Sequence, residues 1–442
     1  MAMAGSGVTP YGELTFDADG DPDIRQRDRL TERVREHDVT DLVVFAHGWN
    51  NDHSMASRLY ERFFAPFPEL APGARLGYVG VLWPSMRFTD EPIPDFDAAG
   101  VVAAAAASVG LDSDTLRALN EVFPDRGQVI ERLAHLLAEQ PDDESAFDEF
   151  GRLVRRLTED GARDEGGGHF TADLDEELEG LPAILADDTL AVCRAFADLL
   201  DESADAQLPQ NGAGLRIPRP GRRWWNGARE LLRQGTYYTM KRRAGTVGQR
   251  GLGPALGHLA RQAPEVRVHL VGHSFGGRLV SFALRGLPAD VRTVTSVTLL
   301  QAAFSHYAFT TSLPHKKGSG GVLRGQQKRV AGPVVCCYSR HDTALRLLYP
   351  LASRMAGDSS GLLGFDRRWG AMGHDGIQAV PGTKRLTLKN ALRGGLPASG
   401  CVNVDAAQVV RRGGPPAGAH SDILHGELAR VVLAAGRVRS AS

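Results

Sequence analysis

Between positions 266 and 284 the chain reads VRVHLVGHSFGGRLVSFAL, and this stretch constrains the fold more than any other. Val266, Val268 and Leu270 alternate with polar residues, the period of a buried strand. Further on, Leu279, Val280, Phe282, Ala283 and Leu284 follow a helical period. Between the two lies Gly272-His273-Ser274-Phe275-Gly276, a G-x-S-x-G sequence in the strand–turn–helix setting of a nucleophile elbow. A serine on so sharp a turn takes up a strained backbone conformation, so residues two positions to either side must lack bulk. Gly272 and Gly276 meet that need, and Gly277 lets the helix lie close to the sheet. The helix start also brings backbone N–H groups near the hydroxyl, where an oxyanion can be stabilised. An ordinary strand-to-helix turn is the competing reading, and the flanks on both sides argue against it.

A second informative stretch lies near the N-terminus. Residues 11–16 (YGELTF) read as a first strand, and 23–37 as a charged amphipathic helix. The acidic turn between them, Asp17 to Asp21, lacks the glycine position and closing Glu of a calcium loop, so a solvated turn is expected. Residues 41–46 (DLVVFA) form a continuous apolar run, as in a central parallel strand. That run delivers His47-Gly48-Trp49-Asn50-Asn51. A His-Gly pair at the C-terminal end of a strand is where the second half of an oxyanion hole is built; Gly48 lets the backbone turn its amides inward, and Trp49 is the expected N–H donor. A helix over 54–64 follows, stopped by Pro66 and Pro68, then a strand over 77–83 ending in Trp83-Pro84-Ser85.

A strand ending in HGW-N, a helix, a strand ending in WPS and the later GHSFGG together resemble the α/β-hydrolase superfamily of serine esterases and lipases. The likeness is nearest to a group of bacterial hydrolases that open with HGW. It covers about residues 11–85 and 235–435. It implies an α/β-hydrolase fold: a mostly parallel central sheet with helices on both faces, the core divided between 1–85 and 235–442. Residues 86–234 fall outside the likeness and break the strand–helix rhythm, with helical patterns at 113–122, 128–139, 147–158 and 189–201 and a Gly-rich acidic loop at 160–168. An insertion of this size before the elbow is expected as a helical cap over the site, with an independent interaction domain or a partly disordered excursion as alternatives. Trp224 and Trp225 are candidates for an acyl pocket or for packing the cap onto the core. The arginines and lysine of 236–263 are expected on a solvated helix face, and 311–328 as a mobile surface loop.

A serine hydroxyl needs a base to remove its proton, and the base needs a third group to hold its tautomer. In this fold they follow in the order Ser, acid, His, in loops after strand ends. Residues 333–339 (PVVCCYS) read as a strand, and Asp342 follows directly, which makes it the expected acid ahead of Asp290, Asp358, Asp366, Asp375, Asp405 and Asp422. For the base, His374, His420 and His425 remain. His420 ends a Gly- and Pro-rich loop after the last apparent strand (401–405) and before a final helix, which favours it; His374 is the competitor, and His425 is expected inside the helix. Ser274 would then attack an acyl carbonyl with His420 as base and Asp342 behind it, while the N–H groups of Phe275 and Trp49, with Gly48 shaping the loop, hold the oxyanion. His47 and His273 are read as structural hydrogen-bond partners, and His306 as a solvated loop residue that could touch substrate.

Composition narrows the function classes. Over 442 residues the formal net charge is −2, so no basic excess exists to neutralise phosphates and nucleic acid is not expected as a partner. The four cysteines, Cys193, Cys336, Cys337 and Cys401, lack C-x-x-C spacing and read as buried free thiols. The N-terminus lacks the pattern of a secretory signal, and the alanine-rich run 98–111 is too short to cross a bilayer, so a cytoplasmic protein without integral membrane association is expected. No cofactor or metal spacing such as H-E-x-x-H is present. The expected activity is hydrolysis of a small-molecule or lipid-like carboxylic ester through an acyl-enzyme. An acyltransferase with the same triad, or a catalytically silent binding protein of the same fold, are the alternatives.

Overall fold

The computed structural model describes residues 7–49, 51–86, 88, 110–158, 170–178, 182–205, 220–354, 367–414 and 417–439. Eight strands form one sheet: β1 (Tyr11–Thr15), β2 (Asp41–Ala46), β3 (Leu76–Leu82), β4 (Arg267–His273), β5 (Val294–Leu300), β6 (Pro333–Tyr338), β7 (Lys384–Thr387) and β8 (Gly400–Asp405). Their order across the sheet is β1-β3-β2-β4-β5-β6-β8-β7, and every pairing is parallel. The chain is therefore of the α/β class, as its sequence suggested. Parallel neighbours need long crossovers, and helices supply them on both faces. Helices of ten or more residues are numbered here α1 (Ile24–Glu36), α2 (His53–Phe64), α3 (Ser113–Val122), α4 (Gly127–Glu139), α5 (Glu144–Thr158), α6 (Thr189–Asp205), α7 (Pro220–Thr246), α8 (Gly253–Gln262), α9 (Phe275–Gly286) and α10 (Gly426–Gly436).

Burial explains why β2 and β3 read as unbroken apolar runs: every residue of both strands is buried. Alternate side chains enter separate cores. Val44, Ala46 and Leu270 pack with Leu279, Val280 and Phe282 of α9 on one face. Val43, Phe45 and Val271 share the other face with Tyr60, Phe63 and Phe64 of α2 and with Val431 and Val432 of α10. Strand β7 escaped the sequence reading because it is a short edge strand with no fully buried residue, so it carries no apolar signal.

No strand occurs among the described residues between β3 and β4; α3 to α8 lie in that interval. The expected boundary between 234 and 235 falls inside α7, a helix of 27 residues that runs from the middle segment into the element preceding β4. Trp225 serves packing: it is fully buried, stacked on Phe147 with ring centroids 4.4 Å apart, and its Nε1 donates to the Pro141 carbonyl at 3.0 Å. The Gly-rich loop at 160–168 and all but the last two residues of the run 98–111 lie outside the described residues. Among the described residues no helix is long and apolar enough to cross a membrane. All four cysteines are buried and unpaired.

One expectation about the surface fails at a buried charge cluster. Lys241 of α7, expected on a solvated face, is 1% exposed; its Nζ lies 3.0 Å from Asp173 Oδ2 and 2.9 Å from Glu177 Oε2. Arg278 of α9, fully buried, donates Nε to Asp173 Oδ1 at 2.9 Å and Nη1 to the Lys241 carbonyl at 2.6 Å. Burial alone would raise the Asp173 carboxyl, but the charges of Lys241 and Arg278 outweigh it and hold it below its ordinary value. The stretch 311–328, expected as a mobile surface loop, is exposed over 314–318, while Leu313 and Leu323 are buried and Val322 N donates to the Asp173 carbonyl at 2.9 Å. Two cations and two carboxylates thus tie the segment 170–178 and α7 to the helix behind the elbow. Removing one partner strands the others without solvent. Lys241→Met is expected to cost about 3–5 kcal/mol of stability in urea unfolding, and a loss under about 1 kcal/mol would show that the cluster is not holding the two parts together.

Candidate active site

Ser274 stands between β4 and α9 with φ 54° and ψ −121°, a positive-φ conformation that a side chain bears only under strain. Neighbouring glycines permit it. A Cβ on Gly276 would overlap the Ala46 carbonyl oxygen, and one on Gly272 would overlap that of Gly276. Backbone bonds fix the turn: Ser274 N donates to Leu300 O at 3.1 Å, and the Ser274 carbonyl accepts from Gly277 N (3.0 Å) and Ala303 N (3.2 Å). Phe275 opens α9, so its N–H has no intrahelical acceptor.

The pairing of β2 with β4 aligns Ala46 with Gly272, which carries the 47–49 loop to the side of the elbow. Gly48 is so close that a Cβ there would lie 2.7 Å from Ser274 Cβ. The two tryptophan motifs seen in the sequence lock together here. Trp83 Nε1 donates to the His47 carbonyl at 3.0 Å and its ring stacks on His47 with centroids 5.4 Å apart. His47 N donates to the Tyr60 hydroxyl at 3.0 Å, and Ser85 Oγ donates to the Asn51 carbonyl at 2.6 Å. Burial pushes the His47 imidazole down to about 4, so it stays neutral near pH 7 and its ring serves as a packing and hydrogen-bonding element.

The three residues expected to act together meet. His420 Nε2 is 2.8 Å from Ser274 Oγ, and His420 Nδ1 is 2.7 Å from Asp342 Oδ2. Asp342 is fully buried, and its other carboxylate oxygen accepts from Leu345 N at 3.0 Å. The loop that presents His420 is pinned to the loop that carries Asp342, since Ala419 N donates to the His341 carbonyl at 3.0 Å. His273, next to the serine, donates Nε2–H to the His420 carbonyl at 2.9 Å. Burial, and then the nearby His420, depress His273 to about 3. It therefore holds the backbone of His420 without competing for protons.

Around these groups lies a cavity of about 90 Å³. Ser274, Phe275, His420 and Trp49 line it together with Arg233 and Tyr237 of α7. Trp49 Nε1 has no hydrogen-bond partner among the described residues. Glu230, Arg233, Gln234 and Tyr237 recur at helical spacing on one face of α7, and Gln234 Nε2 donates to Glu230 Oε1 at 2.6 Å. Sequence reading missed them because a polar stripe on a helix usually marks solvent; only the packing of α7 across the elbow turns it inward.

The remaining candidates go elsewhere. Trp224 and Trp225 do not line this cavity. His374 contacts neither Ser274 nor Asp342 by hydrogen bond, and burial lowers its pKa. His306, expected in solvent, is 2% exposed and bonded through Nδ1 to Asp375. His425 precedes α10 and pairs with Asp422 at 2.9 Å; the final helix starts at Gly426, later than expected. Asp405 caps Ala407 N, Asp290 is exposed, and Asp358 and Asp366 lie outside the described residues. Among the described residues no three His, Cys, Asp or Glu side chains converge as a metal site.

No protein-family model, no curated protein and no solved structure matches this chain.

The depressed values of His47 and His273 make stability pH-dependent with a definite sign. Both are neutral when folded and take up protons near 6.5 when unfolded, so their contribution is present above 6.5 and is lost as pH falls toward about 4 and about 3. Each should add a slope approaching 1.4 kcal/mol per pH unit in that window. His273→Asn is expected to remove one proton's worth of slope from urea unfolding measured between pH 6.5 and 5. An unchanged slope would mean that His273 is not buried neutral.

Proposed function

We propose that the chain is a serine hydrolase of the α/β-hydrolase fold that cleaves carboxylic esters through an acyl-enzyme. The observation that carries this reading is the continuous Asp342–His420–Ser274 hydrogen-bond chain ending on a serine held at positive φ. Reading the middle segment as a cap is supported by α7, which runs out of it and whose Arg233 and Tyr237 line the cavity that holds Ser274.

In the proposed reaction His420 Nε2 takes the Ser274 hydroxyl proton as Oγ attacks the acyl carbonyl carbon. Negative charge develops on the carbonyl oxygen, where the N–H groups of Phe275 and Trp49 receive it. The imidazolium, held by Asp342, gives its proton to the leaving alkoxide as the carbon–oxygen bond breaks. Water then repeats the sequence on the acyl-enzyme: His420 accepts its proton, and Ser274 leaves with that proton restored. The buried Asp342 carboxylate stabilises the imidazolium at each stage without itself becoming protonated.

A fluorophosphonate probe reads this directly. Wild type and His374→Ala should label, while Ser274→Ala and His420→Ala should not. With an ester that the wild type turns over, Ser274→Ala is expected to lower kcat/KM by about four to six orders of magnitude and Asp342→Asn by about four. Folded wild-type protein that fails to label would sink the hydrolase reading and favour a binding role.

A further inference from the structure

Three residues that the sequence singled out and the triad leaves aside, His306, His374 and Asp375, come together at a second cavity. It is larger than the first, about 510 Å³, the size of a pocket that takes a small organic molecule. Leu345 lines both cavities. Two guanidiniums line it from different elements: Arg346, one turn beyond Asp342, and Arg385 of the edge strand β7. Neither has a carboxylate partner within 4 Å among the described residues; Arg385 spends one donor on the Asp375 carbonyl, at 3.1 Å. The cavity's own carboxylate, Asp375, is engaged, receiving His306 Nδ1 at 3.0 and 2.9 Å on its two oxygens. His306 is 2% exposed, and its Nε2 has no partner among the described residues; His374 Nδ1 is in the same state. Gln378 adds an amide to the wall.

This lining has a chemical bias. Cationic donors exceed the one carboxylate, and that carboxylate already accepts from the His306 ring. Exposed arginines alone would be a solvated face, but here two of them border a concave space that His306 and His374 also line. A metal does not fit, because no three ligating side chains converge among the described residues. A planar or tetrahedral oxyanion does, since guanidinium groups bind both with paired N–H donors.

We propose that this cavity is a second ligand site, for a small molecule bearing a carboxylate or phosphate group held by Arg346 and Arg385. The site does not depend on the hydrolase reading. Ser274 does not line it, so it binds its ligand whether or not Ser274 is present.

Isothermal titration with phenyl phosphate, benzoate and uncharged benzyl alcohol tests it. One equivalent of an anion should bind to wild type and to Ser274→Ala with equal affinity, and benzyl alcohol should not bind; which anion binds tighter separates phosphate from carboxylate recognition. The double variant Arg346→Gln/Arg385→Gln should weaken binding by about tenfold or more, whereas Arg29→Gln, on the exposed side of α1, should not. Ring signals of His306 and His374 should shift with ligand in nuclear magnetic resonance spectra, while those of His269 stay. The proposal is overturned by a double variant that binds as well as wild type, by anion binding that leaves His306 and His374 unmoved, or by no anion binding up to about 10 mM.

Discussion

Gly276 has no side chain because the carbonyl oxygen of Ala46 occupies the place where one would go. That contact brings the end of β2 against the start of α9, and the rest of the site depends on it. With β2 and β4 in register, the loop carrying Gly48 and Trp49 and the turn carrying Ser274 become neighbours. A bulkier residue would force the helix away from the sheet, and with it the Phe275 amide and the serine. The strain at Ser274 survives because bonds from Leu300, Gly277 and Ala303 over-determine the turn.

Around that contact, histidines take different roles according to their partners. His420 is partly open, with its side chain 16% exposed, and touches both serine and acid. His47 and His273 are buried deeply enough to be neutral, so each works as a fixed donor or packing surface beside it. His269 is different again, bridging Ser296 at 2.9 Å and Asp41 at 2.8 Å in the core. Hydrogen bonds from His269 and Arg267 hold the Asp41 carboxyl low against the burial that would raise it. Four imidazoles of one residue type thus serve different ends, and their hydrogen-bond partners are what separate them.

The ion cluster of Lys241, Asp173, Glu177 and Arg278 addresses a different problem. An insertion that contributes to a site must sit at a fixed place, and α7 faces the elbow helix across a polar contact. Apolar packing alone would attach it, as Trp225 and Phe147 do within the insertion. Charges without solvent demand one partner geometry, because any displacement leaves an ion unpaired. Lys241 is one turn beyond Tyr237 on α7, so the register set by the ion pairs also sets which α7 side chains reach the Ser274 cavity.

Sequence by itself determined the α/β class, most element positions, and which residue types stand at strand ends. Glycines flanking Ser274 mark a turn whatever the rest of the chain does, and unbroken apolar runs mark central strands, since both are local consequences of backbone sterics and burial. The order of Ser274, Asp342 and His420 was legible for the same reason: each follows a recognisable strand or loop. Tertiary structure alone decided the partners. His306 and Asp375 are 69 residues apart, and Lys241 and Asp173 lie on segments whose charges look solvated in sequence. Periodicity reports which face of an element is apolar, but a polar face reads the same whether it meets water or another buried ion. That choice is made by the packing of elements distant in the chain, and it also decided that the polar stripe of α7 borders the serine and that two leftover histidines share a second cavity.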